Sequence, residues 1–298
     1  MNKKQTLTIY TPTYNRAYCL PQLYNSLNSQ TLQDFIWLVI DDGSTDNTKE
    51  LIDDWIKSSR FEIIYFRQQN EGKMEKVNFA HNFIFTELNM CVDSDDYLLD
   101  NAVEIILNEW GKVSSNSKIA GMVGLDIFKD GSIVGQKFPD NLNFSKFSHF
   151  EKIGATGDKK FVYRTEVVKK YPSYPKFNNE KFPAPGYLYR LIDVDYDLWI
   201  FNTPLCVVEY LNDGLSRNKF KQFINAPNSF VFYRHERMRL AINLIDKFKN
   251  AIHYVSSCLF AHKNIFKNNS FKLTTFLALP FGVLLNLYIK RSSKKGVV

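Results

Sequence analysis

The chain has 298 residues, of which 45% are apolar, enough for a substantial core and too many for a disordered chain. Lys and Arg number 38 against 31 Asp and Glu, so the formal net charge is +7. That mild excess suits an anionic substrate or an anionic membrane surface, and with no basic reading helix and no zinc-finger spacing it gives no case for nucleic acid. The four cysteines, Cys19, Cys91, Cys206 and Cys258, are far apart, and no two have metal-ligand spacing. Cys19, Cys91 and Cys206 lie in or beside apolar segments and read as reduced core residues of a cytosolic protein. Residues 1–6 are polar and run straight into a strand, which is unlike a secretory signal.

The first hundred residues alternate strands and helices. Leu7–Thr11 reads as a strand and Thr11–Arg16 as a turn, followed by helical spacing at Leu20, Leu23, Tyr24 and Leu27. Phe35–Ile40 is a continuous apolar strand that ends in Asp41-Asp42-Gly43-Ser44. Asp46 is placed to cap a helix over 48–57, and Ile63–Phe66 is a third strand. Residues 73–86 read as a helix, 88–92 as the fourth strand, and Asp100 as the cap of the next helix. Near-continuous apolar strands separated by helices imply an α/β fold with a mostly parallel central sheet covered on both faces. Ligands of such sheets bind at the carboxyl ends of the strands. Four polar turns fall there: Pro12–Asn15, Asp41–Ser44, Asn70–Lys73 and Asp93–Asp95. Each alone is ordinary turn chemistry; four on one edge describe a built site.

The last of these turns is the most pointed. An apolar run ends in Asp93-Ser94-Asp95-Asp96, three carboxylates within four positions. Carboxylates gathered this closely repel unless something positive sits among them. Asp-x-Asp offers hard oxygen ligands suited to Mg²⁺ or Mn²⁺, and such a metal commonly also holds substrate phosphates. Lys73 would add positive charge near those phosphates.

Thr11-Pro12-Thr13-Tyr14-Asn15-Arg16, Val39-Ile40-Asp41-Asp42-Gly43-Ser44-Thr45-Asp46, Asn70-Glu71-Gly72-Lys73 and Val92-Asp93-Ser94-Asp95-Asp96-Tyr97-Leu98 follow one another in an order that resembles the inverting family 2 glycosyltransferases of the GT-A fold. The resemblance covers about residues 5–130. It implies a Rossmann-like sheet, a nucleotide-sugar donor, usually a UDP-sugar, and a divalent cation, Mn²⁺ or Mg²⁺. By motif position Pro12 and Tyr14 would line the nucleoside pocket and Asp42 would face the base, with Asp41 its neighbour. Asp93 would approach the ribose or the metal, Asp95 would hold the metal that bridges the diphosphate, and Asp96 is the alternate ligand.

Beyond the fourth strand, 119–128 reads as a strand with a hairpin at 129–132 into 133–138. Residues 161–164 read as a short strand, and Thr165 as the cap of a helix over 166–170. An inverting transfer needs a base for the acceptor hydroxyl. Relatives keep it in a stretch resembling Glu-Lys-Phe-x-Pro-Glu. Here Glu180-Lys181-Phe182 matches, while Pro185 occupies the place of the second glutamate. Glu180 is then the candidate base, Asp158 is another carboxylate able to serve, and a non-catalytic nucleotide-sugar-binding protein is the alternative. Asp193, Asp195 and Asp197 read as a solvated acidic turn. Leu205–Leu211 is strand-like, and the segment after it resembles the family's phosphate loop, in which Ser216 would donate to phosphate and Arg217 pair with it. These features imply a glycosyltransferase domain over 1–218 and a helical region over 219–298. The most apolar stretch, 274–289, is followed by Lys290, Arg291, Lys294 and Lys295. Its length is short for a bilayer span and fits a helix packed on the domain or lying on an anionic membrane surface. The implied partners are a UDP-sugar and a saccharide or lipid-linked saccharide acceptor. The implied place is the cytoplasm or the inner face of the plasma membrane.

Overall fold

A computed structural model of the chain describes residues 5–181, 184–209 and 219–294. It divides into two compact units, one built from the chain up to Ser173 together with Leu188–Glu209, the other from Tyr174–Tyr187 together with the residues after Glu209. The division falls earlier than the boundary read from sequence, and the segment around Glu180 belongs with the C-terminal helices.

The first unit is a mixed α/β layer structure. Strands β1 (Leu7–Thr13), β2 (Phe35–Asp41), β3 (Glu62–Arg67) and β4 (Leu88–Cys91) alternate with helices α1 (Leu20–Asn28), α2 (Thr48–Ser58) and α3 (Lys73–Phe83). β5 (Tyr97–Leu98), α4 (Ala102–Val113), β6 (Ile119–Ile127), β7 (Phe144–Ser145), β8 (Lys159–Arg164) and the short α5 (Thr165–Val168) follow. α6 (Gly186–Ile192) leads into the long strand β9 (Asp197–Val207). The sheet order is β3-β2-β1-β4-β8-β6-β9-β5, with β7 beside β9. β1 to β4 are mutually parallel. β8 enters antiparallel to β4. The main core lies on one face of the sheet: Leu7, Ile9, Phe35, Trp37, Val39, Leu88 and Met90, in register with one another, meet Leu20, Leu23, Leu27, Ile52 and Ile106 from the helices. An aromatic cluster thickens one side, with Tyr24 stacked on Trp55 at 4.4 Å between ring centroids. Burial of this kind contributes roughly 1.5–3 kcal/mol for each large apolar side chain.

Several local expectations shift. α3 ends at Phe83, where Ile84 turns extended. Asp46 is not the N-cap of α2, which is Asn47; it lies one residue earlier and accepts from the Thr48 backbone N–H at 3.1 Å. Asp100 does not cap α4; the N-cap is Asn101, and Asp100 instead accepts from the Ser29 hydroxyl at 2.7 Å. Residues 133–138 make a single bridge, Ile127 to Ile133, instead of a second hairpin strand. Gly135 turns the chain there with φ +73°, and its Cα lies so near the backbone of Thr156 and Gly157 that a Cβ would stand 2.2 Å from the Thr156 carbonyl. Asp193 is buried, not solvated: its carboxylate accepts from the backbone N–H groups of Phe147, at 2.9 Å, and Ser148, at 2.6 Å.

The second unit is helical: α7 (Lys219–Asn225), α8 (Pro227–Arg239), α9 (Leu244–Phe260) and α10 (Lys272–Lys294). Its small core gathers Met238, Ala251, Tyr254, Cys258 and Ala278. Asn243 caps α9 by accepting from the Asp246 N–H at 2.8 Å.

His81 on α3 shares a hydrogen bond of 3.1 Å with the Tyr10 hydroxyl. Burial, reinforced by the charge of Lys169, holds its imidazole down at about 4 from the usual 6.5. The folded protein therefore takes up this proton less readily than the unfolded chain. The stability that neutral His81 contributes is whole above pH 6.5 and is lost as the pH falls toward 4. His81→Gln should show a shallower fall of the urea midpoint across that window than the wild type, and equal slopes would contradict the assignment.

Candidate active site

Sequence-local ties shape the edge where β1, β2 and β4 end. Asn15 adopts φ +52°, its backbone N–H donates to the Ser44 hydroxyl at 2.9 Å, and its side-chain oxygen accepts from the Thr45 N–H at 2.7 Å. The Ala17 N–H donates to Asp46 at 3.0 Å. The turns after β1 and β2 thus form one surface, on which Tyr14 is 45% exposed while Pro12 is buried in register with Ile40.

The paired aspartates after β2 face into the protein. Asp41 accepts from the Ser44 N–H at 2.7 Å and from the Tyr65 hydroxyl at 2.7 Å. Asp42 accepts from the backbone N–H groups of Glu71, at 2.7 Å, and Gly72, at 2.9 Å. Lys76, on α3 and almost fully buried, stands 3.3 Å from Asp42. Asp42 therefore docks the start of α3 onto the end of β2. Between them Gly43 takes φ +81°, where a Cβ would lie 3.0 Å from the Gln68 carbonyl oxygen, so a side chain would be strained and crowded.

That docking brings Lys73, the first residue of α3, over the end of β4. Its ammonium donates to Asp93 Oδ2 at 2.6 Å. The turn is closed by the Asp96 N–H donating to the Asp93 carbonyl at 3.0 Å. Desolvation alone would raise the Asp93 carboxyl, but Lys73 in contact and Lys160 nearby hold it below the usual carboxylate range. Lys73 keeps its proton more firmly than an exposed lysine: burial works against the charge, and Asp93 outweighs it. Asp95 moves the other way, raised by burial and by the charge of Asp93. Asp96 is pushed up to about 7 by burial, with Lys160 opposing and Asp93, Asp95 and Asp126 adding to the rise. The edge therefore holds more negative charge than its two lysines offset.

β8 supplies the second of these lysines. Because β8 runs antiparallel to β4, its beginning lies at the edge where β4 ends. Lys160 reaches Asp96 at 3.4 Å and Asp126 on β6 at 3.9 Å. Asp126 is buried, with its Oδ1 lacking a hydrogen-bond partner, and its carboxyl is pushed up to about 6 by burial. Phe161, next in β8, stacks with Tyr189 of α6 at 4.7 Å. Neither Lys160, Asp126 nor Tyr189 is marked by a motif. The only sequence signal is a Lys-Lys pair at the start of an apolar strand.

The family described as Glycosyl transferase family 2 matches residues 8–167, more than half of the chain. The chain belongs to this glycosyltransferase family. A hyaluronan synthase of Pasteurella multocida is 26% identical over 212 residues, 71% of this chain and 20% of that protein. A chondroitin synthase of Pasteurella multocida strain Pm70 is 27% identical over 206 residues, 69% of this chain and 20% of that protein. The chain thus spans about a fifth of the length of these relatives. Among solved structures, Staphylococcus aureus TarS 1–349 in complex with UDP-GlcNAc superposes with a TM-score of 0.60 at 14% identity, covering 98% of this chain and 92% of that one. The mannosyltransferase PcManGT from Pyrobaculum calidifontis, in complex with GDP-Man and Mn²⁺, gives 0.55 at 14% identity, covering 96% and 88%. These likenesses bear out the α/β GT-A fold.

A divalent cation fits the residues present. No three His, Cys, Asp or Glu side chains converge as a closed cage among the described residues. An open pair of carboxylates is nevertheless what a Mg²⁺- or Mn²⁺-type ion shared with a diphosphate uses. Burial first, and then the charges of neighbouring carboxylates, raise the carboxyls of Asp95 and Asp96, so a cation there would relieve repulsion among them.

Glu180 lies in the second unit, where its carboxylate is fully engaged. Oε1 accepts from the Asn228 N–H at 3.1 Å and side-chain amide at 2.5 Å. Oε2 accepts from the Ser229 N–H at 2.8 Å and hydroxyl at 3.0 Å. The residue caps the N-terminus of α8. Ser216 and Arg217 lie outside the described residues.

Asp42→Ala should destabilise the protein by about 3 kcal/mol, because it removes the nearer of the two carboxylates beside buried Lys76, leaving Glu71 at 3.9 Å, and frees two backbone donors. Urea unfolding measures this. Asp95→Asn, at the tip of its turn, should leave the unfolding midpoint nearly unchanged. Equal effects of the two would contradict the docking role of Asp42.

Proposed function

We propose that the chain is an inverting, metal-dependent glycosyltransferase. It moves a sugar from a UDP-sugar to a saccharide or lipid-linked saccharide acceptor of a cell-surface polymer. The observation that carries this reading is the gathering of Lys73, Asp93, Asp95 and Asp96 at the carboxyl edge of a parallel sheet, within the stretch that matches the family. The UDP-GlcNAc bound by TarS and the hyaluronan and chondroitin synthases among the relatives support the donor and acceptor classes. The teichoic acid poly(glycerol phosphate) polymerase of Staphylococcus epidermidis, 32% identical over 111 residues, extends the same support to wall polymers. Four free cysteines suit the cytoplasm.

In a single displacement the acceptor hydroxyl attacks the anomeric carbon, the bond to the diphosphate breaks, and the hydroxyl proton passes to a base. Pro12 and Tyr14 line the nucleoside, and the turn built on Asp41 and Asp42 holds its floor. Asp93 and Asp95 would hold the cation, with Asp96 as the alternate ligand. Bound there, the ion offsets charge on the leaving diphosphate. Lys73 exchanges Asp93 for a phosphate oxygen. With the carboxylate of Glu180 committed to α8, we assign the base to Asp158, which immediately precedes β8 in the same unit as the metal carboxylates.

Asp95→Asn should abolish Mn²⁺-dependent UDP-sugar binding in calorimetry while the circular dichroism spectrum is kept; undiminished binding would remove the metal assignment. Asp158→Asn should lower transfer about 10²–10⁴-fold with donor affinity unchanged. Glu180→Gln should instead cost about 1 kcal/mol of stability with little change in turnover of the folded protein. The reverse pattern returns the base to Glu180. A wild type that binds UDP and turns over no donor, alone or with acceptors, would favour the non-catalytic binding protein that Pro185 suggests.

A further inference from the structure

Helix α10 wears its amphipathicity inside out. The residues it buries within the second unit are small or polar: Thr275, Ala278, Gly282 and Asn286, with Ile289 the one large exception. Asn286 donates to the Ser256 carbonyl of α9 at 3.2 Å, and Thr275 accepts from the Asn269 amide at 2.8 Å. A Cβ on Gly282 would lie 2.4 Å from Val255 Cβ, so the two helices touch backbone to side chain. The opposite face carries Leu273, Phe276, Leu277, Phe281, Leu284 and Tyr288, between 52% and 75% exposed. The first residues of α9, Leu244 and Ile245, are exposed as well, and Phe248 of α9 meets Phe281 at 5.9 Å. A helix that faced water would reverse this arrangement. Close contact through small residues, polar groups bonded between helices and large apolar side chains outside is how helices pack when hydrocarbon is the solvent.

Charge selects the partner. From Lys247 to Val298 the sequence holds nine Lys and Arg and no Asp or Glu, leaving 29 basic against 31 acidic residues in the other 246. The entire positive excess of the chain lies in this segment. Lys272 stands at one end of the apolar face, and Lys290 and Arg291 at the other. A second copy docked in either direction would bring cation against cation, whereas an anionic bilayer meets both needs at once. α10 is long enough to span a bilayer by length and composition, with a mean hydropathy of 1.5 over its apolar window. Its inner face, however, is committed to α9, whose Asp246, Lys247, Lys249 and His253 would have to enter hydrocarbon with it.

We propose that the α9–α10 pair lies in the interface of an anionic membrane, with the face from Leu273 to Tyr288 sunk to the acyl boundary. Full-length protein should float with vesicles containing phosphatidylglycerol and weakly or not at all with phosphatidylcholine alone. High salt should reduce the binding without removing it, since only the charge contribution is screened. The double variant Phe276→Glu/Leu284→Glu alters exposed positions only, and should weaken partitioning about 100-fold while leaving the unfolding midpoint and UDP-sugar binding unchanged. No binding to either vesicle overturns the proposal. Self-association in sedimentation that the double variant abolishes, without vesicle binding, assigns the face to a second copy instead. Flotation needs no turnover, so its outcome is separate from that of the glycosyltransferase reading.

Discussion

The site depends on an imbalance of charge at one sheet edge. Three carboxylates of the turn after β4 and Asp126 of β6 share two lysines, Lys73 and Lys160. Lys73 satisfies Asp93; Lys160 divides itself between Asp96 and Asp126. Burial, with neighbouring carboxylates adding to it, raises the carboxyls of Asp95, Asp96 and Asp126. Like charges this close cannot all ionise comfortably without further positive charge. A nucleoside diphosphate arriving alone would worsen the repulsion, so donor and cation are expected to bind together. In the proposed reaction Lys73 would have two partners in turn, Asp93, which it holds in this structure, and then phosphate.

Holding that charge in place requires rigid supports, and these come from the fold. Asp42 fixes the start of α3 through two backbone donors and the buried Lys76, so Lys73 is carried on a helix whose position is set by β2. β8 enters antiparallel, which puts its first residues beside the last of β4. A fifth parallel strand would have put Lys160 at the far edge of the sheet. The reversal of direction at β8 therefore does chemical work: it delivers the second cation.

Most of the first four strands and their turns were legible in the sequence, because burial on both faces demands unbroken apolar runs and the turns use residues with few other roles. The partners inside the site were less legible. Lys160 and Asp126 sit in strands whose pairing is non-local, and no spacing rule links residues that meet across β6 and β8. Asp42 was read as facing a ligand, whereas its carboxylate is occupied by the loop before α3. Glu180 matched a motif, yet a carboxylate three residues into a turn can equally cap a helix some fifty residues later, and here Asn228 and Ser229 take it up. Motif position fixes where a residue lies along the chain, not which donors reach it. Asp193 follows the same rule: an acidic run looks solvated until the N–H groups of Phe147 and Ser148 are brought to it.

The helical unit poses the converse case. Its apolar period was plain, and period alone predicts which residues share a face, not which face turns inward. α10 buries Asn286 and leaves Phe276 and Leu284 outside. A rule that places the more apolar face in the core would choose the wrong side. The choice follows from Gly282, where only a glycine lets the helix approach Val255 so closely, and from Asn286 and Thr275, whose polar groups find partners on that side alone. Backbone approach and hydrogen-bond satisfaction thus decide the orientation. The large side chains take the remaining face, together with the positive charge at its two ends.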